Sequence, residues 1–130
     1  MRHFRIGLVA SALLALVAPR EANAQWREPD RTLPAHPSSC TVARVIDGDT
    51  LQCTDGRRIR LRGIDAPERG ERGHRAATEA LRRRVEGRSV TVTPHHINRG
   101  RIVADVTVEG RNVGQELDRL GHSKRRGARR

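Results

Sequence analysis

Apolar and polar positions change period several times along this chain, and each change predicts an element. Ile6 to Ala18 is an apolar run of 13 residues that follows the basic start Arg2, His3, Arg5. Such a run is too short to span a bilayer as a helix. Ala22-Asn23-Ala24 then supplies the small-x-small pattern cut by a signal peptidase, so residues 1–24 are expected to be a cleaved secretory signal. Residues 25–38 contain Pro29, Pro34 and Pro37 and little apolar material, and they read as a disordered linker that also holds Trp26. The end of the chain, 123–130, is rich in Lys and Arg and reads as a solvated basic tail.

Between linker and tail, residues 39–122 carry the pattern of one small folded domain. Strand signals fall at Cys40–Ile46, Thr50–Cys53, Arg58–Ile64, Ser89–Thr93 and Ile102–Val108. In the third of these, Ile59 and Leu61 alternate with Arg60 and Arg62, so one face is buried and the other presents the arginines. His74 to Val85 has the helical period, with Ala77, Ala80, Leu81 and Val85 on one stripe and Arg82, Arg83 and Arg84 largely on the wet side. Asn112 to Leu120 reads as a second helix, with Asn112 as N-cap and Val113, Leu117 and Leu120 as its apolar stripe. The predicted fold class is α+β and mainly β, a five-stranded closed barrel of the oligonucleotide-binding type (OB-fold) with two packed helices. His95 and His96, after Pro94, read as a surface loop; His74 and His122 read as surface or helix-end residues. There is no internal repeat.

Composition sharpens this picture. The formal net charge is +11, and removal of residues 1–24 leaves +9 over 106 residues. A basic domain is expected to meet polyanions. Aromatics are limited to Phe4 and Trp26, so the core must be aliphatic. Cys40 and Cys53 both survive cleavage, and an even count in an exported chain predicts a disulfide. A hairpin centred near Ile46/Asp47 would set the two cysteines opposite each other; two free thiols are the alternative.

Candidate chemistry lies in two acidic turns, Asp47-Gly48-Asp49 and Asp65-Ala66-Pro67-Glu68. Singly, each acid is an ordinary turn residue. Together they offer hard oxygen ligands from two separate loops, as Ca²⁺ requires. Arg60 and Arg101 stand beside them in sequence terms. Carboxylates, a hard cation and two guanidinium groups are the components of phosphodiester cleavage.

Three segments, Val45-Ile-Asp-Gly-Asp-Thr-Leu51, Arg60-Leu-Arg-Gly-Ile-Asp-Ala-Pro-Glu68 and Gly100-Arg101-Ile-Val-Ala104, resemble the staphylococcal nuclease (thermonuclease) family. The third departs from the common Asp-x-Tyr/Trp-Gly-Arg pattern. The resemblance implies a Ca²⁺-dependent endonuclease acting on DNA and RNA, single-stranded or locally opened, and leaving 3′-phosphate ends. It makes Asp49 and Asp65 side-chain metal ligands and Ala66 a carbonyl ligand. It makes Arg60 and Arg101 phosphate-binding groups and Glu68 the general base, with Asp47 near the metal. The chain has no Tyr, whereas family members place tyrosines near the nucleotide, and the family's third helix has no counterpart after Gly121. The expected setting is periplasmic or secreted, off the membrane once the signal is cleaved, and monomeric. A non-catalytic nucleic-acid-binding barrel competes with this reading, but a pure binder gains nothing from carboxylates facing a polyanion and would want aromatic platforms. A third reading, a cationic protein adhering to anionic surfaces, rests on the arginine tail alone.

Overall fold

The computed structural model describes residues 33–124. The expected signal at 1–24, most of the linker and the tail from residue 125 lie outside the described residues. The elements in chain order are β1 (Ser38–Asp47), β2 (Thr50–Cys53), β3 (Arg58–Leu61), α1 (His74–Val85), β4 (Ser89–Asn98), β5 (Arg101–Val108), β6 (Arg111–Asn112) and α2 (Val113–Arg119).

Strands β1 to β5 close into a mixed barrel. β1 is long and shared: its first half pairs with β4 from Ser38↔Val92 to Thr41↔Ser89, and its second half pairs with β2. β2 pairs with β3, and β3 closes the circuit by running parallel to β5, with Ile59↔Ile102 and Leu61↔Ala104. β6 adds two residues beside β5. This is the five-stranded, mainly β architecture with two helices that the strand and helix signals predict.

The alternation in each strand decides what fills the barrel. Val42, Leu51, Ile59, Leu61, Val92 and Val106 point inward, and Leu81 and Val85 of α1 and Val113 and Leu117 of α2 seal the core. Among the described residues none of the buried side chains is aromatic. A core of branched aliphatics packs by shape, so it tolerates little change in volume. Asn112 caps α2 as predicted, its side-chain oxygen accepting from the Gln115 N–H at 3.0 Å.

Four local expectations are corrected. β4 continues through Pro94 to Asn98, so His95 and His96 lie on a strand and not in a loop. A register shift between Pro94 and His96 accommodates the missing proline donor, and pairing resumes at His96↔Val103 and runs on to Asn98↔Arg101. β3 ends at Leu61, three residues early: the Arg62 N–H still bonds to the Ala104 carbonyl of β5 at 2.8 Å, and Gly63, at φ +79°, then turns the chain out of the ladder. Leu120 is not part of the α2 stripe; it lies past the last helical turn and is 56% exposed. Finally, Ser123 and Lys124 are not a free solvated tail. Both bond back to the loop at Asp65.

Cys40 and Cys53 form a disulfide with Cα atoms 5.6 Å apart. They are not directly opposite, since Cys53 faces Val42 across the β1–β2 ladder. The hairpin turn is centred two residues later than the midpoint of the cysteines suggests, because Asp47 pairs with Thr50. Cys40 lies two residues from Val42 on the same buried face, and register shifts in β1 bring it into diagonal reach. For so short a closed loop, reduction is expected to cost about 2–3 kcal/mol. Urea denaturation with and without reductant measures it; coincident midpoints would show that the bridge adds nothing.

Asp105 on β5 joins three parts of the domain outside the barrel. It accepts from Arg62 at 3.2 Å through both Nε and Nη2, from His95 Nε2 at 2.8 Å, and from Asn112 Nδ2 at 3.4 Å. Burial acts to raise its pKa, but the bonds from Arg62 and His95 outweigh burial and hold it below the ordinary 3.8. A depressed folded-state pKa contributes stability above the unfolded value, and that stability is lost as pH falls through the folded value. Asp105→Asn is therefore expected to flatten the loss of stability below about pH 4. Urea midpoints taken stepwise through that range test it; parallel profiles for the two proteins would be the contrary result.

Candidate active site

The acidic turn 47–49 joins β1 to β2, and the 62–73 connection joins β3 to α1. Both emerge at the same end of the barrel. Gly48 sets their distance from α1. A Cβ at position 48 would sit 2.6 Å from the Ala77 Cβ and 2.8 Å from the Ala66 Cβ. No side chain fits there without moving α1 or the metal-loop candidate at Ala66. Gly48→Ala is expected to cost about 1–3 kcal/mol, the usual range for overpacking, and to displace the Asp49 turn. A thermal melt checks the first part; a melting point equal to the parent's would show slack that the geometry does not.

Asp49 is buried, 7% exposed. Its Oδ1 accepts from the Thr50 hydroxyl at 3.0 Å, and its Oδ2 accepts from the Ala66 N–H at 3.1 Å. That second bond ties one acidic turn to the other. Asp47 Oδ1 accepts from the Asp49 N–H at 3.1 Å, which fixes the turn from within. Burial pushes the Asp49 carboxyl up to about 6, with Asp47 adding to the rise and Arg60 opposing it.

Arg60 is the centre of the arrangement. Its Nη1 donates to the Leu61 carbonyl at 2.7 Å and the Ile64 carbonyl at 2.6 Å. Its Nη2 lies 3.2 Å from Asp49 Oδ2 and 3.7 Å from Asp65 Oδ1. One guanidinium thus braces the β3–α1 connection and sits between two carboxylates from different loops. The sequence pattern led to a phosphate-binding role for Arg60; its bracing of the loop was not legible there.

Asp49, Arg60, Asp65, Ala66, Glu68 and Arg101 line one cleft of about 330 Å³, together with Asp47. All the residues singled out for chemistry in the sequence therefore meet in one place. Glu68 is exposed and Arg101 half-buried, so both are open to solvent at the cleft. Arg69 and His74 also line the cleft. His74, expected to be an ordinary helix-end residue, is half-buried, and its ring Nδ1 is 3.0 Å from the Pro67 carbonyl. A histidine at the first position of a helix carries no sequence signal for such a role. The cysteine pair lies outside the cleft lining.

Among the described residues no three His, Cys, Asp or Glu side chains are grouped as a metal cage. The oxygen donors are two carboxylates on separate turns with a backbone segment between them. That set suits a hard cation that keeps several waters, not zinc or another soft-ligand metal.

A sequence model of the family described as staphylococcal nuclease homologue matches residues 58–126. A protein of Escherichia coli described as an uncharacterized endonuclease is 44% identical over 85 residues, covering 62% of this chain and 56% of that protein. Its counterpart in Escherichia coli O157:H7 is 42% identical over the same length. A probable staphylococcal-like nuclease of Oryza sativa subsp. japonica is 42% identical over 65 residues, 49% of this chain and 20% of that protein. The chain spans about half the length of the bacterial relatives it matches.

Proposed function

The chain belongs to the staphylococcal nuclease homologue family, and from that premise we propose that it is a Ca²⁺-dependent endonuclease that hydrolyses phosphodiester bonds of DNA and RNA. The observation that carries the reading is the convergence of Asp49, Arg60, Asp65, Glu68 and Arg101 on one cleft. Acids and arginines pooled in one concavity suit a reaction in which negative charge both arrives and develops.

Asp49 and Asp65, with the Ala66 carbonyl, would hold the cation. The fit is supported by the two carboxylates already converging on one positive group, Arg60 Nη2. Bound there, Ca²⁺ supplies Lewis-acid polarisation of the phosphoryl oxygens. The Arg101 side chain makes no ion pair among the described residues and is left to bind a phosphate oxygen of the substrate. Arg60 contributes a second guanidinium from the floor of the cleft. Glu68 takes a proton from the attacking water. The new bond is water oxygen to phosphorus, the bond broken is phosphorus to the 5′-oxygen, the departing 5′-oxygen takes a proton from solvent, and the products are a 5′-hydroxyl and a 3′-phosphate.

Digestion of plasmid DNA and RNA with Ca²⁺, and with excess chelator, tests the reading. Cleavage that stops with chelator, with 3′-phosphate ends by end-group analysis, is expected. Tight nucleic-acid binding without any cleavage would favour a non-catalytic barrel instead. Periplasmic or secreted placement is part of the proposal, supported by the disulfide.

A further inference from the structure

The acidic connection between β3 and α1 carries Asp65 and Glu68, and both are exposed. Exposed loops hold their geometry only where something outside them fixes it. Two residues beyond α2 supply that hold. Gly121, at φ +85°, turns the chain back after the helix, and the His122 N–H returns to the Leu117 carbonyl at 3.0 Å. Ser123 and Lys124 then lie along the loop. The Asp65 N–H donates to Ser123 Oγ at 3.0 Å, and the Lys124 N–H donates to the Asp65 carbonyl at 2.7 Å. Both backbone groups of Asp65 are thereby taken by the strap.

The other end of the loop is reached through a side chain. Lys124 Nζ lies 3.0 Å from Glu71 Oε2 and 3.2 Å from Oε1. Glu71 Oε2 accepts from the Glu68 N–H at 3.2 Å, and the Glu71 N–H donates to the Glu68 carbonyl at 2.9 Å. Glu71 therefore occupies both backbone groups of Glu68, and Lys124 holds Glu71.

We propose that Ser123 and Lys124, acting through Glu71, are positioning residues that hold Asp65 and Glu68 in working register across the cleft. This rests on the nuclease reading of that cleft. A surface ion pair such as Lys124–Glu71 adds little to global stability. Its effect falls on loop geometry, where small misplacement of a reacting group costs rate.

The test uses the full chain and its variants Lys124→Ala, Lys124→Arg, Glu71→Gln and Lys124→Ala/Glu71→Gln, with Ser123→Ala alongside. Lys124→Ala and Glu71→Gln are each expected to lower kcat about tenfold, with KM within about twofold of the parent. The double variant should lose no more than the worse single one, since the two act on one path. Lys124→Arg should recover most of kcat. Independently of activity, amide exchange at Glu68 should rise several-fold in Lys124→Ala and in Glu71→Gln, and exchange at Asp65 in Ser123→Ala, with melting points unchanged. A raised KM with parental kcat would overturn the proposal and make Lys124 a substrate contact. Parental exchange at Asp65 and Glu68 would also overturn it, whatever the kinetics. An active parent whose Lys124→Ala variant is fully active would sink the strap and leave the nuclease reading intact. An inactive parent would sink the nuclease reading and the proposal with it.

Discussion

Glu68→Gln is expected to lower the turnover of DNA by about 10²–10⁴, the range that a positioned general base supplies. The substitution keeps the size of the side chain and removes its basicity. Glu68 is exposed, and its backbone rather than its carboxylate makes its bonds to the loop, so the fold and the melting point should not change. KM should also stay near the parent value, because a general base acts on the transition state and adds little to ground-state binding. Arg101→Ala should cost about 10²–10³ in kcat for the loss of one charge-stabilising group. It should also weaken binding, since the same guanidinium meets a phosphate in the ground state. The hyperchromic change on digestion of single-stranded DNA measures both. Parental turnover in Glu68→Gln would remove Glu68 from the mechanism and leave the base to be sought among Asp47 and His74, which line the same cleft.

The second large effect is on ligand-linked stability. Calcium together with a nucleoside 3′,5′-bisphosphate, at about 100 times the dissociation constant, should stabilise the fold by about 2.7 kcal/mol. In a domain of this size each kcal/mol moves the melting point by about 4–8 °C, so a rise of roughly 10–20 °C is expected. Asp49→Asn should abolish most of that rise. The variant lacks the ligand charge that a hard cation requires, and it offers one oxygen where Asp49 uses two, for Thr50 on one side and for Ala66 and Arg60 on the other. Each protein serves as its own ligand-free reference, so a change in intrinsic stability does not confuse the comparison. An undiminished rise in Asp49→Asn would move the cation away from this turn.

The barrel and its cleft were legible in the sequence for different reasons. The strands follow from period-two alternation in short segments bounded by Asp and Gly, and that alternation fixes which face is buried. The cleft residues follow from two motifs whose order and spacing are unusual; a single Asp-Gly-Asp turn would have meant only a hairpin. What sequence left unread depends on tertiary geometry. The path of β4 through Pro94 depends on a bulge that local propensity opposes. The exposure of Leu120 depends on α2 ending one residue before it. The diagonal disulfide depends on register shifts in β1. The hold of Ser123 and Lys124 on Asp65 joins residues 58 positions apart, and nothing in a polar, charged tail marks two of its members as bound.

The aliphatic core has an optical consequence. With no Phe, Tyr or Trp between residues 33 and 124, the domain contributes almost no absorbance or emission of its own in the near ultraviolet. Residues 33–124 hold no tyrosine or tryptophan to report unfolding of the barrel, which is therefore followed through the peptide backbone. The same transparency works in favour of the substrate. In a mixture with nucleic acid the near-ultraviolet spectrum belongs to the bases, so stacking, strand opening and cleavage can be read directly, with Phe4 and Trp26 the aromatic side chains of the chain to subtract.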